Sequence, residues 1–321
     1  MMRPGWLALL GFVFAAAAGA ELVGAEPVTV AVTPVQVGPH SWYVQGMAGE
    51  ASAANQGFMS NAGFVITPAG VVVFDALGSV PLAEELIRQI RKLTAQPIKR
   101  VIVSHYHADH IYGLQAFKAT GAEIWAHRDG RAYLASAIAQ QRLAQRRAAL
   151  PRWIDERTQP LPADRWLADG ETFDLGGVRF DLQHVGPAHS PEDLAMLVSP
   201  DGVLYSGDLI FAGRIPFVGD TDSKRWLAAI DRLERFNPKV LVPGHGSVSR
   251  AARADLSLTR DYLTFLRETL KKKPVEDLVP FDEAYRAIDW SRFARIPAFD
   301  AANRGNAYNT YLLLEKESLQ R

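Results

Sequence analysis

Three of the eight histidines in this chain fall within "SHYHADH", residues 104–110, directly after the apolar run "RVIV". No other feature restricts the fold as tightly. The apolar run reads as a buried strand over 98–104, with a helix beginning at 111–118. On the extended segment between them, residues two apart point the same way, so His105 and His107 can converge on one metal ion. Asp109 and His110 lie where the chain turns, point elsewhere, and can serve a second ion close by. Crowding such groups together without a metal costs charge repulsion and desolvation.

Four ligands do not complete two sites, and the chain offers more at three other strand ends. "HVGPAHS" supplies His189, "LYSGD" supplies Asp208 and "LVPGHG" supplies His245. Each follows an apolar run and lies in a turn containing Gly or Pro, where functional residues tend to sit on a rigid scaffold. All seven donors are nitrogen or oxygen, a set that suits two Zn2+ ions, with one Fe2+ as the alternative. His127 and His184 read as structural or supporting residues, and His40 as a surface residue.

Elsewhere the pattern alternates short strands and amphipathic helices. "FVIT" and "VVVFDA" (71–76) form a hairpin, and a helix follows with Pro81 in its first turn and Leu82, Leu86, Ile90 and Leu93 on one face. Residues 122–127 read as a strand, 128–150 as helix, and 165–206 as a run of strands. Helices are expected over 223–236 and 251–273, and a last strand over 239–246. Two halves that each mix strands and helices predict an α+β fold, with two sheets packed together and helices outside. The expected organisation is a leader over 1–25, a main domain over 26–250 and a C-terminal helical extension over 251–321 packed on the same domain.

The leader reading rests on Arg3, the apolar "LALLGFVFAAAAGA" (7–20) and small residues at a cleavage site. The apolar stretch is shorter than the ~20 residues of a spanning helix. The expectation is therefore a signal peptide and a periplasmic or secreted protein, with no stable membrane insertion after cleavage. The absence of cysteine excludes disulfides, thiolate ligands and a thiol nucleophile. Lys plus Arg equals Asp plus Glu, 35 each, which argues against a nucleic-acid partner. The basic cluster "QQRLAQRR" (140–147) reads as the solvated face of a helix.

"HYHADH" followed in order by His189, Asp208 and His245 resembles the metallo-β-lactamase-fold hydrolase superfamily, over roughly residues 30 to 250. The resemblance implies an αββα sandwich with a dinuclear site at one edge, between the sheets. It implies one metal on His105, His107 and His189, the other on Asp109, His110 and His245, and Asp208 bridging them. Asp75 matches a family aspartate that supports the ligand turn. The ligand set departs from true β-lactamases. One of their subclasses has a cysteine at the Asp208 position, and another lacks a metal-binding aspartate there. It is closer to glyoxalase II types. "ANQGFMSNAGFVITPAGVVVFDA" (54–76) resembles, more weakly, exported zinc hydrolases linked to sulfur oxidation and quinoprotein systems.

Two divalent ions can share one hydroxide, a nucleophile at neutral pH that needs no serine or cysteine. The expected function is an exported dinuclear-zinc hydrolase attacking an ester, thioester, lactone or amide carbonyl, with Asp109 and Asp208 as the catalytic carboxylates. The alternatives are a mononuclear-iron persulfide dioxygenase-like enzyme, a true β-lactamase, and a non-catalytic periplasmic metal-binding partner of a redox system. The expected partner is a small-molecule substrate. Phe211, Arg214 and Phe217 in the loop after Asp208 are candidate substrate contacts, and Phe58 in "NQGFMSN" either covers an apolar substrate or packs in the core or against the hairpin. Arg214 either holds a substrate carboxylate or pairs with Asp220 or Asp222.

Overall fold

The computed structural model describes residues 24–219, 221–271 and 278–319. The expected leader lies almost wholly outside the described residues. The first sheet is built in chain order from β1 (Val35–Gln36), β2 (Ser41–Val44), β3 (Ala62–Thr67), β4 (Gly70–Phe74), β5 (Ile98–Ile102), β6 (Glu123–His127) and β7 (Arg165–Leu167). Strands β1 to β4 run antiparallel, and β4 to β7 are parallel. The parallel strands are joined through α1 (Val80–Leu93), then α2 (Ala108–Ile111) and α3 (Leu114–Ala119), then α4 (Gly130–Leu134) and α5 (Ala137–Ala149). The second sheet comprises β8 (Glu171–Leu175), β9 (Val178–His184), β10 (Leu194–Val198), β11 (Val203–Tyr205) and β12 (Val240–Val242). Helix α6 (Ser223–Arg235) makes the crossover that lets β11 and β12 pair in parallel. Helices α7 (Ala252–Leu270), α8 (Phe281–Ala287) and α9 (Phe299–Leu319) follow.

Local chemistry explains the boundaries. Ser79 caps α1 by accepting from the Leu82 amide, and Pro81 sits where no amide is needed. The stripe of Leu82, Leu86 and Ile90 is buried as expected, but Leu93 closes the helix 43% exposed. Asp222 caps α6 by accepting from the Lys224 and Arg225 amides. The single helix expected from 111 begins earlier and is broken at Tyr112–Gly113, giving α2 and α3.

Three apolar layers follow. Between the sheets lie Val65, Val72, Phe74, Ile102 and Trp125 of the first and Phe180, Leu182, Met196 and Tyr205 of the second. Helices α1 and α3 cover the outer face of the first sheet, through Leu82, Leu86 and Phe117 against Val73 and Val101. Helices α6, α7 and α9 cover the second, through Trp226, Ile230, Leu263, Leu266, Ala307 and Leu314 against Leu204 and Leu241. The result is the expected α+β arrangement of helix, sheet, sheet and helix. Among the described residues, no helix is long and apolar enough to cross a membrane.

Candidate metal centre

The ends of four strands meet at one edge of the sandwich. After β5 the chain delivers His105 and His107 in extended backbone, and α2 then turns Asp109 and His110 inward. The loop after β9 delivers His189. Asp208 stands on a 3-10 turn after β11, entered through Gly207 at φ 52. His245 follows β12. All seven expected donors converge, and they fall into two groups. His105, His107, His189 and Asp208 form one; Asp109, His110 and His245 form the other.

Asp208 joins the groups. Its Oδ2 lies 3.5 Å from His189 Nε2 and 3.3 Å from His245 Nε2, and its Oδ1 lies 3.3 Å from His110 Nε2. Asp109 Oδ2 is 3.2 Å from His245 Nε2 and 3.6 Å from His110 Nε2. His189 Nε2 faces His107 Nδ1 at 3.0 Å. A side chain on Gly244 would collide with the Asp208 carboxylate, so only glycine leaves that oxygen its place.

The imidazoles are held from behind. Asp75 directly follows β4 with φ 64, an uncommon conformation for a residue with a side chain. Its buried carboxylate accepts from the Ser104 amide at 2.7 Å, the Ser104 hydroxyl at 2.8 Å and His110 Nδ1 at 2.9 Å. Because the Ser104 hydroxyl gives its proton to Asp75, its oxygen accepts from His105 Nδ1 at 2.9 Å. His245 Nδ1 donates to the Met59 carbonyl at 2.7 Å. Three rings thus have Nδ1 tied and Nε2 aimed into the cluster, the orientation that metal-binding histidines adopt. Asp193 anchors the His189 loop by accepting from the Ser190 amide at 2.7 Å and its hydroxyl at 2.8 Å. Ser104 sits inside the motif and was visible in the sequence. The Met59 carbonyl was not, because a backbone atom leaves no residue-type signal.

The donor set fits a pair of divalent cations. His105 Nε2, His110 Nε2 and Asp208 Oδ1 are buried with no hydrogen-bond partner, an expensive arrangement unless something else satisfies them. Burial, and then the neighbouring His110 and His107, push His105 well below the usual histidine range. Burial brings His189 down to about 4. Burial opposes charge on His110, but Asp208, Asp75 and Asp109 together hold it well above that range. His245 is raised to about 9 in the same way, chiefly by Asp208. Burial would lift both ligand carboxylates, yet His110 and His245 keep Asp109 and Asp208 well below the usual carboxylate range. Without metal, protons on His110 and His245 balance the two aspartates. Cations can take over that balancing role.

The remaining expected residues are placed unevenly. Phe211 is buried, and its ring stacks on His245 at 5.5 Å with 1° between planes. The Arg214 guanidinium lies over Phe211 at 5.7 Å. Among the described residues it makes no ion pair, and Asp222 instead caps α6 and pairs with Arg225. Phe217 is 56% exposed. Phe58 is buried in the core cluster on the outer side of the first sheet. His127 and His184 stack on each other at 3.6 Å, and each donates Nε2–H to a backbone carbonyl, Ala168 and Pro191. They stand outside the two groups around Asp208, although Asp129 joins them in a third cluster of metal-ligand type. His40 is half-buried against Asp201 at 2.8 Å, more enclosed than the expected surface residue.

The family model for the metallo-beta-lactamase superfamily matches residues 55–245. The chain is 25% identical over 248 residues to a linear primary-alkylsulfatase of Pseudomonas sp., covering 66% of this chain and 47% of that protein. It is 31% identical over 174 residues to a hydroxyacylglutathione hydrolase of Haemophilus influenzae, covering 51% of this chain and 76% of that one. Among solved structures, a metallo-beta-lactamase from Pontibacter korlensis superposes with TM-score 0.57 and 22% identity, over 72% of this chain and 98% of that one. An inverting sec-alkylsulfatase from Pseudomonas sp. superposes with TM-score 0.66 and 18% identity, over 88% of this chain and 50% of that one. The chain thus spans about half the length of the alkylsulfatases it matches.

Proposed function

The chain belongs to the metallo-beta-lactamase superfamily, and on that footing we propose that it is a dinuclear-zinc hydrolase that attacks the carbonyl of an ester, thioester, lactone or amide. One observation carries the reading. Seven nitrogen and oxygen donors from four strand ends form two groups that share the Asp208 carboxylate. A cluster built only to hold one ion needs no bridging carboxylate.

His105, His107 and His189 would hold one cation, Asp109, His110 and His245 the other, with Asp208 between them. Bound cations of this kind supply Lewis acidity and lower the pKa of a coordinated water from 15.7 to about 7. The protein's own part is positional. Asp75, Ser104 and the Met59 carbonyl fix the rings, so that no ligand has to reorganise during reaction. Asp109 Oδ2, buried 3.2 Å from His245 Nε2, would be the carboxylate that takes the proton the attacking water loses and passes it to the leaving atom. Phe211 and Trp226 pack against His189 and keep that side dry.

A second reading is sulfate-ester hydrolysis. It is favoured by the alkylsulfatase superposition, which reaches over 88% of the chain and so extends past the 55–245 match. We also propose export, on the strength of residues 1–20. Amino-terminal sequencing of periplasmic or culture fractions would show a start after Ala20 or Ala25, whereas an intact Met1 in the cytoplasmic fraction would refute it.

The test is a panel of 4-nitrophenyl esters, thioesters, lactones and 4-nitrophenyl sulfate, with purified protein before and after dialysis against a chelator. Hydrolysis that vanishes with the metal and returns with zinc supports the reading. Oxygen uptake with a persulfide, and no hydrolysis, would replace it with iron chemistry.

A further inference from the structure

A third group of metal-type donors, His127, Asp129 and His184, stands outside the seven-donor centre, with its donor atoms within 4.8 Å of one another. His127 is the last residue of β6 in the first sheet, and His184 the last of β9 in the second. Strand β6 runs parallel to β5, so both deliver their histidines to the same edge of the sandwich.

Each ring has one nitrogen committed to the backbone. His127 donates Nε2–H to the Ala168 carbonyl at 3.2 Å, just past β7, and His184 donates Nε2–H to the Pro191 carbonyl at 3.0 Å. A carbonyl can only accept, so in the neutral ring the proton sits on Nε2 and Nδ1 keeps its lone pair. Tying one ring nitrogen to a backbone carbonyl is how proteins present the other to a metal. His127 Nδ1 faces Asp129 Oδ2 at 3.7 Å and meets only a long contact, 3.4 Å, from the Asp129 amide. Among the described residues, the ring of His184 makes its one hydrogen bond through Nε2. Asp129 stands in the cap position of α4, yet its backbone is helical there and its side chain accepts no capping bond. Its neighbour Arg128 comes no closer than 4.0 Å to Oδ1, and both side chains are exposed, a pairing worth little. Two stacked rings alone would fill a gap between sheets. A carboxylate turned toward one of them, and engaged by no cap, is not needed for that.

We propose that His127, Asp129 and His184 form an accessory site for one divalent transition-metal ion, tying β6 of the first sheet to β9 of the second. Two imidazoles and a carboxylate suit a cation of borderline softness such as Zn2+, with water completing a tetrahedron on the exposed side of Asp129. A metal lies in the plane of each imidazole that holds it. The rings, stacked 3.6 Å apart with 8° between planes, must therefore turn apart on binding. That rearrangement makes the site weaker than the seven-donor centre, so it fills second. The proposal does not rest on the hydrolase reading.

The experiment starts from protein loaded with zinc and freed of excess by gel filtration. Further Zn2+ is then titrated in by calorimetry, beside Asp129→Asn, His127→Gln and His184→Gln, with melting curves to confirm folding. Asp129→Asn alters a half-exposed side chain without changing its size, so it serves even if a histidine variant misfolds. The wild type should take up about one further zinc ion per chain. The histidine variants should take up none. Asp129→Asn should bind it at least about 10- to 100-fold more weakly, since loss of a mere supporting partner of a ligand already costs that much. In the wild type, the imidazole proton resonances that vanish in His127→Gln and His184→Gln should shift with the added zinc. A purely structural pair would not respond. The added zinc should also raise the melting temperature of the wild type and leave that of Asp129→Asn unchanged. No further uptake by the wild type, or equal uptake by every folded variant, overturns the proposal and returns the pair to a packing role. Metal retained through gel filtration belongs to the seven-donor centre and should be the same in all variants, so the two readings fail separately.

Discussion

At the residue scale, the account turns on how three groups, Asp75, Ser104 and the Met59 carbonyl, decide where imidazole lone pairs point. Asp75 is the clearest case, since it receives three hydrogen bonds from the ligand turn. In Asp75→Asn the amide cannot accept from all three donors, so His110 and Ser104 lose their fixed orientation. Zinc affinity should fall about 10- to 100-fold, measured by competition with a chelating dye. Unchanged affinity would show that the turn is rigid without it. The charge balance makes a second prediction. His245 rises from 6.5 to about 9 in the metal-free protein. Its protonated form therefore contributes stability that is fully present below about pH 6.5 and is lost as pH climbs through 9. Zinc uptake near pH 7.5 should accordingly release protons, visible as a dependence of calorimetric heat on buffer ionisation enthalpy. Heats identical in all buffers would contradict the assignment. Phe58 marks the limit of reading residues alone: its neighbours in "NQGFMSN" frame the site, but whether its side chain faces substrate or core depends on packing that the sequence does not display.

At the element scale, most of the architecture was legible because its signals are local. The hairpin at 62–74, the capped helix α1 and the strand before "SHYHADH" follow from period and turn chemistry. Helix α5 was legible as a helix, but its orientation was not. Nothing within 137–149 says that Arg146 reaches the sulfur of Met59, a residue far away in sequence. Gly244 shows the same limit, since its need for glycine comes from Asp208, a close neighbour only in space. Gly244→Ala should displace that carboxylate and lower metal content while the fold persists, checked by metal analysis beside a melting curve. Full metal content would contradict the packing. The helices after 251 act differently. Leu263 and Leu266 complete the layer over the second sheet. Leu263→Ala should cost about 2–5 kcal/mol of stability with metal stoichiometry unchanged, read by denaturant titration.

At the scale of the whole molecule, the sandwich works as a frame that brings separated strand ends to one edge. The seven donors span residues 105 to 245, and the superfamily pattern made their convergence legible before any geometry was known. Because two sheets contribute to one centre, metal should stabilise the entire fold, and chelation should lower the melting temperature reversibly. The claim beneath all of this is that two cations share Asp208. Elemental analysis of purified protein by plasma mass spectrometry, without added metal, tests it most directly. The account predicts about two zinc ions per chain, falling in Asp208→Ala. A single iron per chain, or no metal even after reconstitution, would contradict it.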